Sequence, residues 1–163
     1  MTVKTKHRFA ASLDEVYAKV TDPDFLRAKY LGIGGRNVSF SESGQDGEVF
    51  RLRSSREVPS NPPGFARKFL ADWNKMEETM EWTRNKDGSA RGVYTGKVKG
   101  VPGVLEGTFD LSPDGTGCVE DIAMTAHIRV PLVGKKIAAL VEDETAASLE
   151  DEYAFLRGDL GEN

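Results

Sequence analysis

Four polar residues interrupt strand faces that are otherwise apolar, and they are the residues best placed to do chemistry: His7, Arg56, Glu78 and Glu120. Successive side chains of a strand point to opposite sides, so each of the four shares its side with apolar neighbours. An unpaired buried charge is costly, so burial predicts that Arg56 and Glu78, on consecutive strands, pair with each other. All four are candidate anchors for a ligand. The alternative is that a bulge or a strand end leaves them in water.

The same alternation selects apolar candidates for the wall of a ligand site. They lie on the inward sides of two predicted strands and along the apolar stripe of the last helix: Met80, Trp82, Ile122, Met124, Ile137 and Val141. Methionine is flexible and polarisable, and tryptophan offers a broad stacking face, so both suit ligands of varied shape. For any one of these residues taken alone, an ordinary place in the core is the simpler interpretation.

The sequence carries no catalytic signature. The glycine cluster at residues 32–35 follows a helix rather than a strand, so it lacks the context of a dinucleotide-binding loop. Cys118 has no histidine near it in sequence, and His127 alternates outward, where a general base has nothing to orient it. The lone cysteine and the two histidines also lack the spacing of a zinc site. We therefore predict no catalytic residue, no metal and no cofactor.

Composition narrows the class of protein. The chain has 163 residues, 39% of them hydrophobic, which predicts one domain spanning residues 1–163. Its 22 basic and 26 acidic residues give a net charge of −4 and are intermixed, so we expect no basic face and no nucleic-acid partner. One cysteine excludes an internal disulfide. The first ten residues lack the apolar run of a signal peptide or membrane span, which favours a cytoplasmic protein.

Hydrophobic periodicity predicts the elements that position these residues. A period of two predicts seven strands, at residues 3–9, 38–42, 48–58, 74–83, 91–99, 104–111 and 118–130. A capping box at Ser12 begins one helix after the first strand, and Asp22-Pro23 begins a second. Apolar spacing also predicts one short amphipathic helix at 65–70 and a long helix at 132–160.

The order of these elements predicts the fold class. Strands follow one another without alternating helices, which favours an antiparallel α+β arrangement over a parallel, doubly wound one. Turn residues separate most of the strands, including a five-residue joint at 43–47. We expect a curved seven-stranded antiparallel sheet wrapped around the long C-terminal helix, with two short helices after the first strand.

Several segments together resemble the START-like, or helix-grip, superfamily of lipid-transfer domains, polyketide cyclases and pollen-allergen-type proteins. These segments are residues 12–17, 21–26, 81–82, 100–102 and 130–134. Within that superfamily the chain resembles an actinobacterial branch, the domain of unknown function 2505 family. The resemblance covers nearly the whole chain and implies the helix-grip fold. It brings no catalytic residues with it.

The fold implied by the resemblance has a cavity between the sheet and the last helix, and this predicts a binding or carrier protein for a small hydrophobic ligand such as a lipid, a polyketide-like compound or an aromatic metabolite. The first alternative is a cyclase or dehydratase in which His7, Arg56 and Glu78 polarise a bound substrate. The second is a co-chaperone-like interaction module that uses Phe65 and Phe69 as an exposed patch. Against the second, we expect both rings to close the mouth of the pocket.

Overall fold

The computed structural model describes residues 2–162. Within that range the chain forms seven strands, three α-helices and one 3₁₀ turn. In chain order they are β1 (Thr2–Phe9), α1 (Leu13–Val20), α2 (Pro23–Gly32), β2 (Arg36–Asp46), β3 (Val49–Pro59), the 3₁₀ turn (Gly64–Ala66), β4 (Trp73–Arg84), β5 (Ala90–Val98), β6 (Gly103–Asp114), β7 (Gly117–Ile128) and α3 (Gly134–Asp159).

The strands form one antiparallel sheet in the order β1-β7-β6-β5-β4-β3-β2. Five consecutive hairpins build β2 to β7, and β1 closes the sheet by pairing with β7. Helix α3 packs on β7 and β1, whereas α2 packs on β2 and on α3. The predicted α+β helix-grip fold is confirmed.

Strand β2 is longer than predicted, and the expected joint at 43–47 is wrong. The strand continues to Asp46, and the chain reverses in a two-residue turn at Gly47-Glu48, with Gly47 in the left-handed region at φ 63°. At the edge of the sheet formed by residues 2–162, β2 pairs with β3 and carries two register shifts. Most of its side chains are exposed. It therefore lacks the apolar alternation that revealed the other strands.

The helix ends follow their sequence signals. The Ser12 hydroxyl accepts from the Glu15 N–H at 3.2 Å, and the Asp22 carboxylate accepts from the Asp24 N–H at 3.0 Å, so both predicted N-caps are confirmed. The short helix expected at 65–70 is a single 3₁₀ turn, Gly64–Ala66. One turn cannot hold a helical stripe, because its residues do not repeat on one face.

Two apolar clusters fill the space between sheet and helices. The first lies under α1, α2 and the end of α3, and its buried members include Val16, Phe25, Trp82, Leu111 and Leu156. The second lies under the beginning and middle of α3, and its buried members include Leu70, Leu105, Ile122, Ile137 and Leu149. The candidate functional site opens between these clusters.

Candidate functional site: a cavity with a buried ionic wall

A cavity of about 490 Å³ lies between the inner face of the sheet and helices α2 and α3. Residues of both apolar clusters line it, among them Leu26, Leu52, Leu105, Phe109 and Leu156. The volume suits a ligand of drug-like size, because small-molecule pockets span roughly 300–1,000 Å³. Long side chains on opposing walls fail to meet here, and the gap between them is the site.

Eight of the nine residues singled out from the sequence lie on the cavity wall: His7, Arg56, Glu78, Met80, Trp82, Ile122, Met124 and Val141. The ninth, Ile137, does not. It is fully buried one helical turn before Val141, inside the second apolar cluster. It does not border the cavity, so its expected place on the wall is wrong.

The buried wall contains the ion pair expected from strand alternation. Arg56 Nε donates to Glu78 Oε1 at 2.6 Å, and Arg56 Nη2 donates to Glu78 Oε2 at 3.4 Å. The hydroxyl of Tyr94, on β5, donates to Glu78 Oε2 at 2.6 Å. Arg56, Glu78 and Tyr94 are all buried, at 6%, 8% and 8% exposure. Each Glu78 oxygen thus accepts at least one hydrogen bond, which offsets the cost of burying the carboxylate.

Residues from α2 and α3 extend this pair into a larger network. The Arg56 guanidinium lies 4.0 Å from the centre of the Tyr30 ring, in cation–π contact, and Arg56 Nη2 lies 4.0 Å from Glu152 Oε1. Lys29 Nζ donates to Glu152 Oε2 at 2.9 Å. We call Lys29, Tyr30, Arg56, Glu78, Tyr94 and Glu152 the ionic wall. Its two cations balance its two carboxylates, so the cavity presents little net charge there.

Burial and neighbouring charges shift the pKa values of Arg56, Tyr94 and Glu152 in the ionic wall. Burial opposes the charged guanidinium, but Glu78 outweighs it and raises the pKa of Arg56 above its ordinary value. Burial and then Glu78 raise the pKa of Tyr94 well above its usual range. Burial works against the Glu152 carboxylate, yet Lys29 and Arg56 lower the pKa of Glu152. Arg56 and Glu152 therefore remain charged, and Tyr94 remains neutral, across the physiological pH range.

His7 belongs to a second polar group on the same cavity. Its Nε2 lies 3.3 Å from Glu150 Oε1, its Nδ1 lies 3.9 Å from Glu120 Oε1, and its ring stacks on Tyr153 at 4.1 Å. His7 and Glu120 are buried, at 3% and 6% exposure. Burial lowers the pKa of His7, but Glu120 and then Glu150 outweigh it, so the pKa is raised above 6.5. The ring joins β1, β7 and α3 most strongly when it is protonated.

Four members of the ionic wall, Lys29, Tyr30, Tyr94 and Glu152, were not predicted as site residues. The positions of three of them carried a signal. Lys29 lies three residues after Leu26 and four after Phe25, so it shares the buried face of α2. Glu152 lies between Leu149 and Leu156 on the inner face of α3. Tyr94 faces Met80 directly across the β4–β5 ladder. Polar residues at inward positions of helices thus carry the same signal as those on strands.

The cavity reaches the surface between α3 and the β3–β4 connection. Exposed Asn61 and Ala147 lie on its lining, and the Ser60 hydroxyl donates to Glu144 Oε1 at 2.7 Å across the same opening. Phe65 and Phe69 do not line the cavity, so their expected place at its mouth is wrong. The single 3₁₀ turn directs Ala66 inward and leaves Phe65 43% exposed.

Comparison with known protein families identifies the lineage. The family model "Protein of unknown function (DUF2505)" matches residues 4–158. The chain belongs to this family. Among curated relatives of this DUF2505 protein are "Uncharacterized protein Rv0481c" of Mycobacterium tuberculosis and "Uncharacterized protein Mb0491c" of Mycobacterium bovis. Each is 24% identical to this chain, and the match covers 90% of this chain and 89% of the relative.

Solved structures share the fold of the DUF2505 protein at low sequence identity. A "STAR-related lipid transfer protein" fragment from Xanthomonas axonopodis gives a TM-score of 0.64 at 15% identity, over 96% of this chain and 85% of that one. TTHA0849 from Thermus thermophilus gives 0.61 at 16% identity, over 98% and 99%. A "START superfamily protein" from Mycobacterium smegmatis gives 0.56 at 14% identity, over 97% and 95%. These likenesses establish the START-like fold. No helix within residues 2–162 is long and apolar enough to cross a bilayer.

Proposed function

We propose that this protein binds and carries a small, uncharged hydrophobic molecule in the 490 Å³ cavity. The observation that carries the proposal is the wall itself, which is mainly apolar and whose buried or half-buried charged groups each face a partner: Arg56 faces Glu78, Lys29 faces Glu152, and Glu120 faces His7. The other two carboxylates of the lining, Glu144 and Asp151, are exposed. A charged ligand held deep in the cavity would lose its hydration without meeting an unpaired counter-charge, and that loss disfavours binding. An uncharged ligand loses little and covers the apolar wall.

The START-like fold of a lipid-transfer protein from Xanthomonas axonopodis supports a carrier function by analogy. A second support is Trp82, a wall residue that is 1% exposed. Within residues 2–162 its indole N–H has no hydrogen-bond partner. A buried donor without a partner costs about 1–3 kcal/mol, so a ligand oxygen that accepted from it would gain affinity. The preferred ligand is therefore apolar with one or a few neutral oxygens.

A substitution at the cavity mouth tests the proposal. Ala147→Trp places an indole at the opening, whereas Ala154→Trp places the same group on an exposed position of α3 outside the lining. Protein purified under native conditions should release a hydrophobic compound on organic extraction, detected by mass spectrometry. We expect that compound to be lost or strongly reduced in Ala147→Trp and retained in Ala154→Trp. Equal amounts of the compound in both variants would refute the proposal. The proposal would also fail if the wild type releases no compound and no neutral apolar compound raises its melting temperature.

The cyclase or dehydratase alternative ranks second because of the position of His7. His7 shares the cavity wall with Arg56 and Glu78, as that alternative requires. However, both of its ring nitrogens face carboxylates, at 3.3 and 3.9 Å. A histidine held in this way joins strands and helix instead of presenting a free nitrogen to a substrate. Conversion of the extracted compound by wild type but not by His7→Gln would reverse this ranking.

A further inference from the structure

Three loops meet at one end of the molecule. They are residues 60–72 between β3 and β4, residues 97–103, which include the end of β5 and the β5–β6 turn, and residues 129–136, which include the first three residues of α3. The Arg129 N–H donates to the Pro102 carbonyl at 2.8 Å, joining the second loop to the third. Lys136 Nζ lies 5.8 Å from the centre of the Phe65 ring, joining the third to the first. The three loops therefore form one continuous surface, which we call the basic end.

The basic end departs from the charge of the rest of the chain. It carries seven exposed basic residues and one acid; the basic residues are Arg67, Lys68, Lys97, Lys99, Arg129, Lys135 and Lys136. The one acid, Asp72, pairs with Arg67 at 3.1 Å. This end has a formal charge of +6, although the chain as a whole has −4. The expectation of no basic face is thus wrong, because the fold gathers residues that are scattered in sequence.

Two apolar side chains, those of Phe65 and Leu132, project from the basic end. Leu132 is completely exposed, and its backbone lies in the left-handed region at φ 70°. Its neighbours close a tight turn around it, since the Val133 N–H donates to the Pro131 carbonyl at 2.8 Å. A non-glycine residue is strained in this conformation. Nothing within residues 2–162 covers the leucine side chain, so neither its strain nor its exposure serves the packing of the fold.

We propose that the basic end is a docking surface for a membrane of anionic lipids. Lysine and arginine side chains are attracted to the negative surface of such a membrane, while Leu132 and Phe65 enter the boundary between headgroups and acyl chains. Charge alone would suit any polyanion, but the two apolar tips favour a lipid surface, which has an apolar interior to receive them. The surface adjoins the cavity, because Ser60 and Asn61 belong to the first loop and also line the cavity. It does not depend on which ligand the cavity holds.

Sedimentation with vesicles tests the docking surface. Wild-type protein should sediment with vesicles of phosphatidylcholine and phosphatidylserine, should stay in solution with pure phosphatidylcholine, and should be released by added salt. Each basic residue contributes about fivefold to such binding, so Lys135→Glu with Lys136→Glu should lower the partition coefficient by about 25-fold or more. Leu132→Ser should lower it by about five- to tenfold.

Matched controls separate this surface from a general effect of charge or hydrophobicity. Lys4→Glu with Lys86→Glu makes the same change in charge at exposed sites away from the basic end, and Val93→Ser removes an apolar side chain that is 50% exposed on β5. Both controls should bind vesicles like the wild type. Equal binding to neutral vesicles, equal losses in control and test variants, or capture by duplex DNA without capture by anionic vesicles would each overturn the proposal.

Discussion

The buried ion pair of the ionic wall allows a quantitative test of the site's energetics. Arg56→Met keeps the length and the apolar stem of the side chain but removes its charge, and leaves Glu78 at 8% exposure with Tyr94 as its remaining donor. Removing one partner of a buried pair costs about 3–5 kcal/mol. We therefore expect Arg56→Met to lower the free energy of unfolding by about 3–5 kcal/mol.

Substitution of Glu78, the partner of Arg56, should lower the free energy of unfolding by less. Glu78→Gln is isosteric and can still accept from Tyr94, and Arg56 retains Glu152 at 4.0 Å and the face of Tyr30 at 4.0 Å. We expect a loss of about 1–3 kcal/mol from the missing charge-assisted hydrogen bonds. The double variant leaves neither charge of the pair behind, so its loss should fall short of the sum of the two single losses by about 2 kcal/mol.

Urea denaturation followed by circular dichroism measures all four proteins of this cycle. The control cycle uses Arg91→Met and Asp110→Asn, a pair on β5 and β6 whose charged atoms are 3.3 Å apart but whose side chains are 54% and 44% exposed. Exposed pairs contribute about 0–1 kcal/mol, so the control coupling should be small. If the coupling of Arg56 with Glu78 is no larger than that of the control pair, the account of the ionic wall is wrong.

Two further predictions concern other buried groups. Because its neighbouring carboxylates raise the pKa of His7 in the folded protein above 6.5, the stabilisation from its protonation is complete below pH 6.5 and is lost as the pH rises through the folded pKa. Urea denaturation across this pH range should show a fall in stability that His7→Gln abolishes, and an unchanged fall in the variant would contradict the assignment. Burial raises the pKa of the Cys118 thiol to about 11, so at pH 8 it should react with a thiol reagent more than about a hundredfold slower in native protein than in urea. Equal rates would show that the thiol is accessible.

Much of the cavity was predictable because strand alternation is a strong signal. In a sheet with one buried face, the alternation of side chains alone places four residues on the inner face: Arg56, Glu78, Met80 and Trp82. The register of β3 with β4 confirms this placement. The pairing of Arg56 with Glu78 followed from the cost of a lone buried charge. The alternative that these residues lie in water was wrong, since the register of β3 with β4 is unbroken.

The errors occurred where local pattern does not determine three-dimensional position. Edge strand β2 has little apolar alternation, and the loop containing Phe65 turns its ring outward, so neither gave a reliable signal. Periodicity placed Ile137 and Val141 on the same face of α3. It does not determine which residue of that face borders the cavity, and only Val141 of these two does so. The basic end depends on three loops that are distant in sequence. It becomes visible only when the sheet brings them together.

A titration of buried Trp82 tests most directly whether the cavity takes up an uncharged apolar molecule. The chain has two tryptophans, and Trp73 is 37% exposed, so Trp73→Phe leaves Trp82 on the cavity wall as the sole reporter. The neutral probe N-phenylnaphthylamine should quench its emission by energy transfer, saturating at one probe per protein, and a neutral long-chain alcohol should displace the probe. Quenching that never saturates would contradict binding inside the cavity. Saturable quenching that is unchanged in a double variant, Trp73→Phe with Ala147→Phe, would contradict it too.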